Sequence, residues 1–353
     1  MLLGGGMATE FSPWQQRAYE QAVVALEAGR LGHGLLICGP KGLGKRAVAE
    51  HLAQYVLCTA RVGRQPCGKC RGCLLYLSRS QRENLELRPD KSPAHPHGHP
   101  AHPDVIFLGH AWRMSPSPAR QLTQIVVDQV RVLSERLAKT PQYGEALVTI
   151  IDPAEAMNES ASNALLKTLE EPVAGRYLWL ISAQPASLSA TIRSRCQKLE
   201  FKLPPMDEAL AWLVRSGHSS KDAAEALGAA RGHPGLADEW LRDGGMALRK
   251  SVASDLEKLE RGDIGVIETA QRWSSDEHAD LRLSHAADLV LAQAGTGGLT
   301  DPARLHKLAT WFDAANRTRD LLGTTVRGDL AIVDLLLAWR GVDRTRAAKG
   351  DRA

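Results

Sequence analysis

No apolar stretch in this chain approaches the roughly 18 residues that a membrane-spanning helix requires, so no membrane association is expected. The opening MLLGGGM has neither a charged n-region nor an apolar h-region long enough for export, and Met7 competes with Met1 as the start. A cytoplasmic protein is the expectation. Runs of five or more basic residues are also missing, and 44 Lys and Arg against 40 Asp and Glu leave a formal charge of only +4. Charge alone therefore does not point to nucleic-acid binding. Cysteine is scarce, six in all, yet four of the six crowd into residues 58–73. In a reducing compartment such crowding points to a metal site more than to disulfides.

At 353 residues the chain exceeds what one hydrophobic core normally serves, so two or three domains are expected. Charged residues at 24% and the apolar set at 44% describe an ordinary globular protein. Short apolar runs at 33–38 (HGLLIC), 104–108 (DVIFL), 146–152 (ALVTIID) and 177–182 (YLWLIS) alternate with helical patterns at 13–29, 47–57, 127–138 and 160–170. That alternation predicts an α/β fold with a buried parallel sheet. Beyond Pro204 and Pro205 only helical periodicity remains, as in Leu305, Leu308, Ala309, Phe312 and Ala315, and again in Leu330, Val333 and Leu337. Glycines at 244–245 and 295–298 interrupt this half. The expected organisation is an α/β domain over 1–205 with a cysteine module inserted at about 58–73, a small helical subdomain over 206–245, a helical domain over 246–345 and a tail over 346–353. The Pro- and His-rich stretch 88–102, with His95, His97 and His99, reads as a solvated loop with at most adventitious metal binding.

Residues 39–46 read GPKGLGKR, a phosphate loop correct at Gly39, Gly44 and Lys45 and wrong at Arg46. The glycines let backbone N–H groups face an anion at a helix N-terminus, and Lys45 supplies a point charge. Arg46 stands where a Ser or Thr hydroxyl would ligate Mg²⁺. It removes a ligand and adds a like charge, a penalty of about 4 kcal/mol even for a unit-charge pair ~4 Å apart at an effective dielectric near 20. The second acidic signature of such a site falls on Asp152, but the following position, where a water-activating Glu belongs, is Pro153. Glu155 lies too far on to replace it. Asp152 also suits a helix N-cap. Cys38, ahead of the loop, reads as a small buried hydrophobe.

Cys58, Cys67, Cys70 and Cys73 form a C-x₈-C-x₂-C-x₂-C array. Four thiolates can close a tetrahedral Zn²⁺ site with no open position, which makes it structural. An iron–sulfur cluster is the rival, against which stand the upstream fourth cysteine and the lack of a Cys-Pro. Unmetallated thiols are the third alternative.

FSPWQQ at 11–16, GPKGLGK, the four cysteines, HPD at 102–104, VDQVR at 127–131, IIDPAEAMNESASNALLKTLEEP at 150–172 and TIRSRC at 191–196 together resemble the AAA+ clamp-loader subunits of bacterial DNA polymerase III. The likeness is strong over 11–205, weaker through 245 and architectural beyond. It implies a RecA-like parallel sheet, a helical lid, and a helical collar through which subunits assemble. Such loaders are pentameric open rings that use ATP to place a sliding clamp on primed DNA. Nucleotide sits at their subunit boundaries, so Arg195 of the SRC motif would be an arginine finger acting in trans, with Arg193 and Cys196 as structural companions. The gamma/tau motor subunit keeps the hydroxyl residue after the loop lysine and the Asp-Glu pair, and this chain keeps neither. Gly235 stands where the motor is expected to carry a phosphate-sensing arginine. The delta subunit generally lacks the cysteine module and the SRC motif. These departures select a non-motor member that binds no functional Mg-ATP, is no ATPase by itself, and works within the DNA-directed DNA polymerase III holoenzyme beside gamma/tau and delta. Lys45 and Asp152 keep open the alternative of an active gamma/tau-like motor. A zinc-dependent nucleic-acid-binding protein is the third possibility, though Lys69, Arg71 and Arg79 have little aromatic company.

Overall fold

The computed structural model describes residues 11–78, 88–90, 102–114, 120–296, 302–322 and 327–342. Expectations for the start, for Arg79, for His95, His97 and His99, and for the tail lie outside the described residues. The chain divides into two compact units, the first running through Trp212 and including His233–Gly235, the second comprising Leu213–Gly232 and the residues from Leu236 onward.

The first unit is built on a five-stranded sheet. Its strands are β1 (Gly34–Cys38), β2 (Val105–Leu108), β5 (Leu147–Ile151), β6 (Arg176–Ser182) and β7 (Gln197–Glu200), in the order β2-β5-β6-β1-β7. All four pairings are parallel. A short antiparallel ribbon, β3 (Trp112–Arg113) with β4 (Arg120–Gln121), stands apart from the sheet. Successive side chains of a strand face opposite ways. Leu35 and Ile37 of β1 accordingly enter one core with Tyr19, Leu52, Tyr55 and Trp179, and Leu36 and Cys38 enter the other with Val130, Leu133, Leu165 and Leu169. Helices cover both faces. α1 (Pro13–Glu27) and α2 (Lys45–Leu57) supply the first core, and α4 (Val127–Leu137), α5 (Glu159–Glu170) and α6 (Ala190–Arg195) the second, while α3 (Arg71–Leu77) follows the cysteine loop.

Local chemistry starts these helices where they start. Pro13 occupies the first turn of α1, and the Ser12 N–H donates to Gln15 Oε1 at 2.9 Å. Asn158 Oδ1 accepts from Ala161 N at 2.9 Å to open α5, and Ser189 Oγ accepts from Ile192 N at 3.3 Å to open α6. β7 has no counterpart among the expected strands, because only Leu199 of its four residues is buried.

The second unit is helical, from α8 (Ser220–Ala229) through α10 (Gly245–Arg261), α11 (Val266–Ser274), α12 (Ala279–Thr296), α13 (Pro302–Leu322) and α14 (Gly328–Val342); α7 (Met206–Arg215) and α9 (Pro234–Arg242) each have residues in both units. Leu256, Trp273, Leu283, Trp311, Leu336 and Trp339 form its core. Three of its buried indoles have carbonyl or carboxylate partners. Trp311 Nε1 donates to the Leu335 carbonyl at 2.9 Å, Trp339 Nε1 to the Leu256 carbonyl at 3.0 Å and Trp273 Nε1 to Asp255 Oδ2 at 2.9 Å. The phase of α14 differs from the sequence expectation. Leu330 and Leu337 are 55% and 53% exposed, and the buried stripe is Ile332, Leu335, Leu336 and Trp339. Both sets satisfy helical spacing on a helix apolar nearly all round, so spacing alone could not choose between them. No helix of the described residues is long and apolar enough to cross a membrane.

Candidate functional site

The phosphate loop joins β1 to α2, the strand–loop–helix context its motif requires. Its lysine is turned onto its own backbone. Lys45 is 6% exposed, and Nζ donates to the carbonyls of Gly39 at 2.6 Å and Pro40 at 2.7 Å. Burial lowers its pKa, against which Asp152 and Glu155 favour the charged form. Trp14 Nε1 and Gln15 Nε2 both donate to the Leu43 carbonyl, at 3.1 and 3.2 Å, so the FSPWQQ segment fastens the loop from behind.

Arg46 sits between two carboxylates. Nε lies 3.0 Å from Glu50 Oε1, one turn along α2, and Nη1 lies 3.5 Å from Asp152 Oδ2 beyond the end of β5. The guanidinium also stacks over Phe107 of β2, 5.4 Å from the ring centroid. The acidic residue that would order Mg²⁺ thus already faces a fixed cation. Glu155 is engaged as well, Oε1 accepting from Ala183 N at 2.9 Å. Gly235 packs on the loop, and a Cβ built there would lie 2.0 Å from the Gly42 carbonyl oxygen. No side chain fits at 235 without the backbone moving.

The four clustered cysteines converge, with all four Sγ atoms within 4.8 Å of one another. Cys58 Sγ and Cys70 Sγ are 3.9 Å apart. Zn–S bonds of about 2.3 Å give a tetrahedral edge of about 3.8 Å, so the donor set fits a single zinc ion. An iron–sulfur cube would hold its cysteines further apart. Cys58 terminates α2 and Cys70 opens α3, where Cys70 Sγ accepts from Cys73 N at 3.5 Å. Cys67 Sγ accepts from Lys69 N at 3.4 Å and Cys70 N at 3.2 Å, and these N–H groups lower its pKa. For Cys70 burial acts upward, but N–H groups of Cys73 and Thr59 outweigh it and the pKa falls to about 6. Burial raises those of Cys58 and Cys73. The HPD segment is structural: the buried His102 accepts from Asp104 N at Nδ1, 3.0 Å, and the Asp104 carboxylate accepts from Gln142 N and Tyr143 N at 2.6 and 2.8 Å.

Arg195 ends α6 on the surface. Nη2 lies 2.7 Å from Glu170 Oε1, and Nη1 donates to the Thr191 carbonyl at 3.2 Å. Cys196 beside it is 8% exposed, its thiol pushed up to about 11 by burial. Sequence reasoning missed Glu50, Phe107 and Glu170. The i,i+4 spacing of Arg46 and Glu50 was a usable signal; the other two are brought in only by the fold.

A parallel sheet in this order, with a glycine-rich loop leaving its β1 strand for α2 and a helical part following, defines an AAA+-type nucleotide-binding fold. The profile of the family described as DNA polymerase III, delta subunit, matches residues 14–205. DNA polymerase III subunit delta' of Pseudomonas aeruginosa is 34% identical, with 74% of this chain and 71% of that protein covered. The subunit delta' of Escherichia coli K12 is also 34% identical, over 92% of this chain and 94% of that one. A DNA polymerase III subunit gamma/tau, from Mycobacterium bovis, is 31% identical over 54% of this chain and 28% of its own length. The chain belongs to the DNA polymerase III subunit delta' family.

Proposed function

We propose that this protein is the non-hydrolysing delta prime subunit of a bacterial clamp loader. It holds no functional Mg-ATP and lends Arg195 to the nucleotide of a neighbouring gamma/tau motor subunit while a sliding clamp is placed on primed DNA. The carrying observation is Arg46, whose guanidinium lies within 3.5 Å of both Glu50 and Asp152, where Mg²⁺ would need oxygen ligands. Two further features support the same conclusion. Lys45 gives two of its three donors to loop carbonyls, and Pro153 stands where a base would activate water. Arg195 remains on the surface with a permanent charge.

Cys58, Cys67, Cys70 and Cys73 would hold a structural Zn²⁺ that ties the end of α2 to the start of α3. Residues 206–245 would serve as the lid and 246–345 as the collar that meets the other subunits, delta included, in the cytoplasm. Purified chain should show no Mg-ATP hydrolysis. Turnover abolished by Lys45→Ala would instead make it a motor. Reconstituted with gamma/tau and delta, the Arg195→Ala chain should lose DNA-stimulated hydrolysis; an unchanged rate would remove the finger role and leave the scaffold role standing.

A further inference from the structure

We infer that Glu170 is a positioning residue for Arg195, holding the guanidinium in the orientation in which it meets a neighbour's phosphates. This rests on the finger role proposed above. An exposed arginine has many rotamers to lose, so a finger left free would be ordered only at the moment of reaction. Arg195 is not left free. Glu170 takes Nη2 at 2.7 Å and the Thr191 carbonyl takes Nη1 at 3.2 Å, so two partners on different helices set the plane of the group. A guanidinium has five N–H donors, and this arrangement leaves others for an incoming anion.

The placement of Glu170 also departs from local preference. It is the last residue of α5, where the helix dipole disfavours a carboxylate, whereas Arg195 ends α6, where a cation is favoured. A locally unfavourable charge with a specific non-local partner marks a position set by more than helix stability. The frame beneath the pair is rigid. Ile192 and Cys196 anchor α6 in the same core as Leu165 and Leu169 of α5. A Cβ on Gly34 would lie 2.9 Å from Leu169 Cδ2 and 3.2 Å from the Arg195 carbonyl oxygen. His33 Nε2 lies 2.9 Å from the Leu169 carbonyl oxygen. The start of β1 thus packs against the Arg195 backbone and against Leu169, the residue before Glu170, and little but the two side chains is left to adjust.

The test uses full-length chain reconstituted with gamma/tau and delta, with DNA-stimulated hydrolysis followed across ATP concentration. An exposed ion pair is a modest lever, so Glu170→Ala should lower kcat about two- to fivefold. KM should stay unchanged, since a finger acts in the transition state. Glu170→Asp should recover part of the loss. On an Arg195→Ala background, Glu170→Ala should cause no further loss, because the two residues act as one unit. Equal losses on both backgrounds would assign Glu170 a merely structural role and overturn the inference. A rise in kcat would overturn it too, making Glu170 a restraint. If Arg195→Ala lowers kcat and Glu170→Ala does not, positioning falls and the finger stands; if Arg195→Ala itself changes nothing, both fall.

Discussion

Two arginines of the first unit each face carboxylate, and their surroundings differ. Arg46 lies between Glu50 and Asp152 and over Phe107, so its charge is consumed inside the chain. Arg195 meets one carboxylate and one carbonyl at the end of a surface helix, and its charge stays available to another molecule. The residue type is the same and the fold decides which way the charge works. A cation held between two acids of its own chain fills a site, while one held at the surface by a single acid leaves N–H donors exposed.

Metal removal is the harshest way to separate the two. Structural zinc contributes on the order of 10 kcal/mol in small zinc modules, and here it would close the end of the helix that begins at Lys45 and Arg46. Chelation should therefore raise amide exchange across α2 and α3 far more than across α6, as measured by hydrogen exchange; equal deprotection would break the comparison. The metal should also be lost in acid. Ligation requires thiolates, so protons compete with the metal for the four sulfurs and acid displaces it. Metal content against pH reads this directly.

Arg195→Ala should cost the neighbouring site up to about 10³ in turnover, the lower end of what a finger contributes. Stability of the isolated chain should barely move, which thermal unfolding would check. Gly235→Arg acts on the other region and should destabilise the first unit by about 1–3 kcal/mol in urea unfolding, because the Gly42 carbonyl occupies the space of any Cβ. It should restore no ATP hydrolysis. Arg46→Ser is the mildest change. Its ion pairs are partly exposed, so the stability cost should stay below about 1 kcal/mol. Hydrolysis should remain absent, since Pro153 supplies no base; turnover in this variant would show that Arg46 alone had closed the site.

What could be read in the sequence was local. The loop, the cysteine array and four strands declared themselves because their residues are adjacent and their burial is continuous, as in Leu147–Ile151. β7 escaped because a half-buried edge strand carries one core residue, Leu199, too few for periodicity to register. The phase of α14 escaped because two apolar stripes compete on one helix. The pairings of Arg46 with Asp152 and of Arg195 with Glu170 join residues 106 and 25 positions apart, which pattern within a window cannot reach.

The close approach of Gly235 to the Gly42 carbonyl limits what the loop itself can do. The backbone at 235 lies on the loop, so a side chain there requires the loop to withdraw, and the loop is fastened by Lys45, Trp14 and Gln15. The loop and residue 235 are therefore locked together, and Lys45 ties down two carbonyls by contacts that need no phosphate.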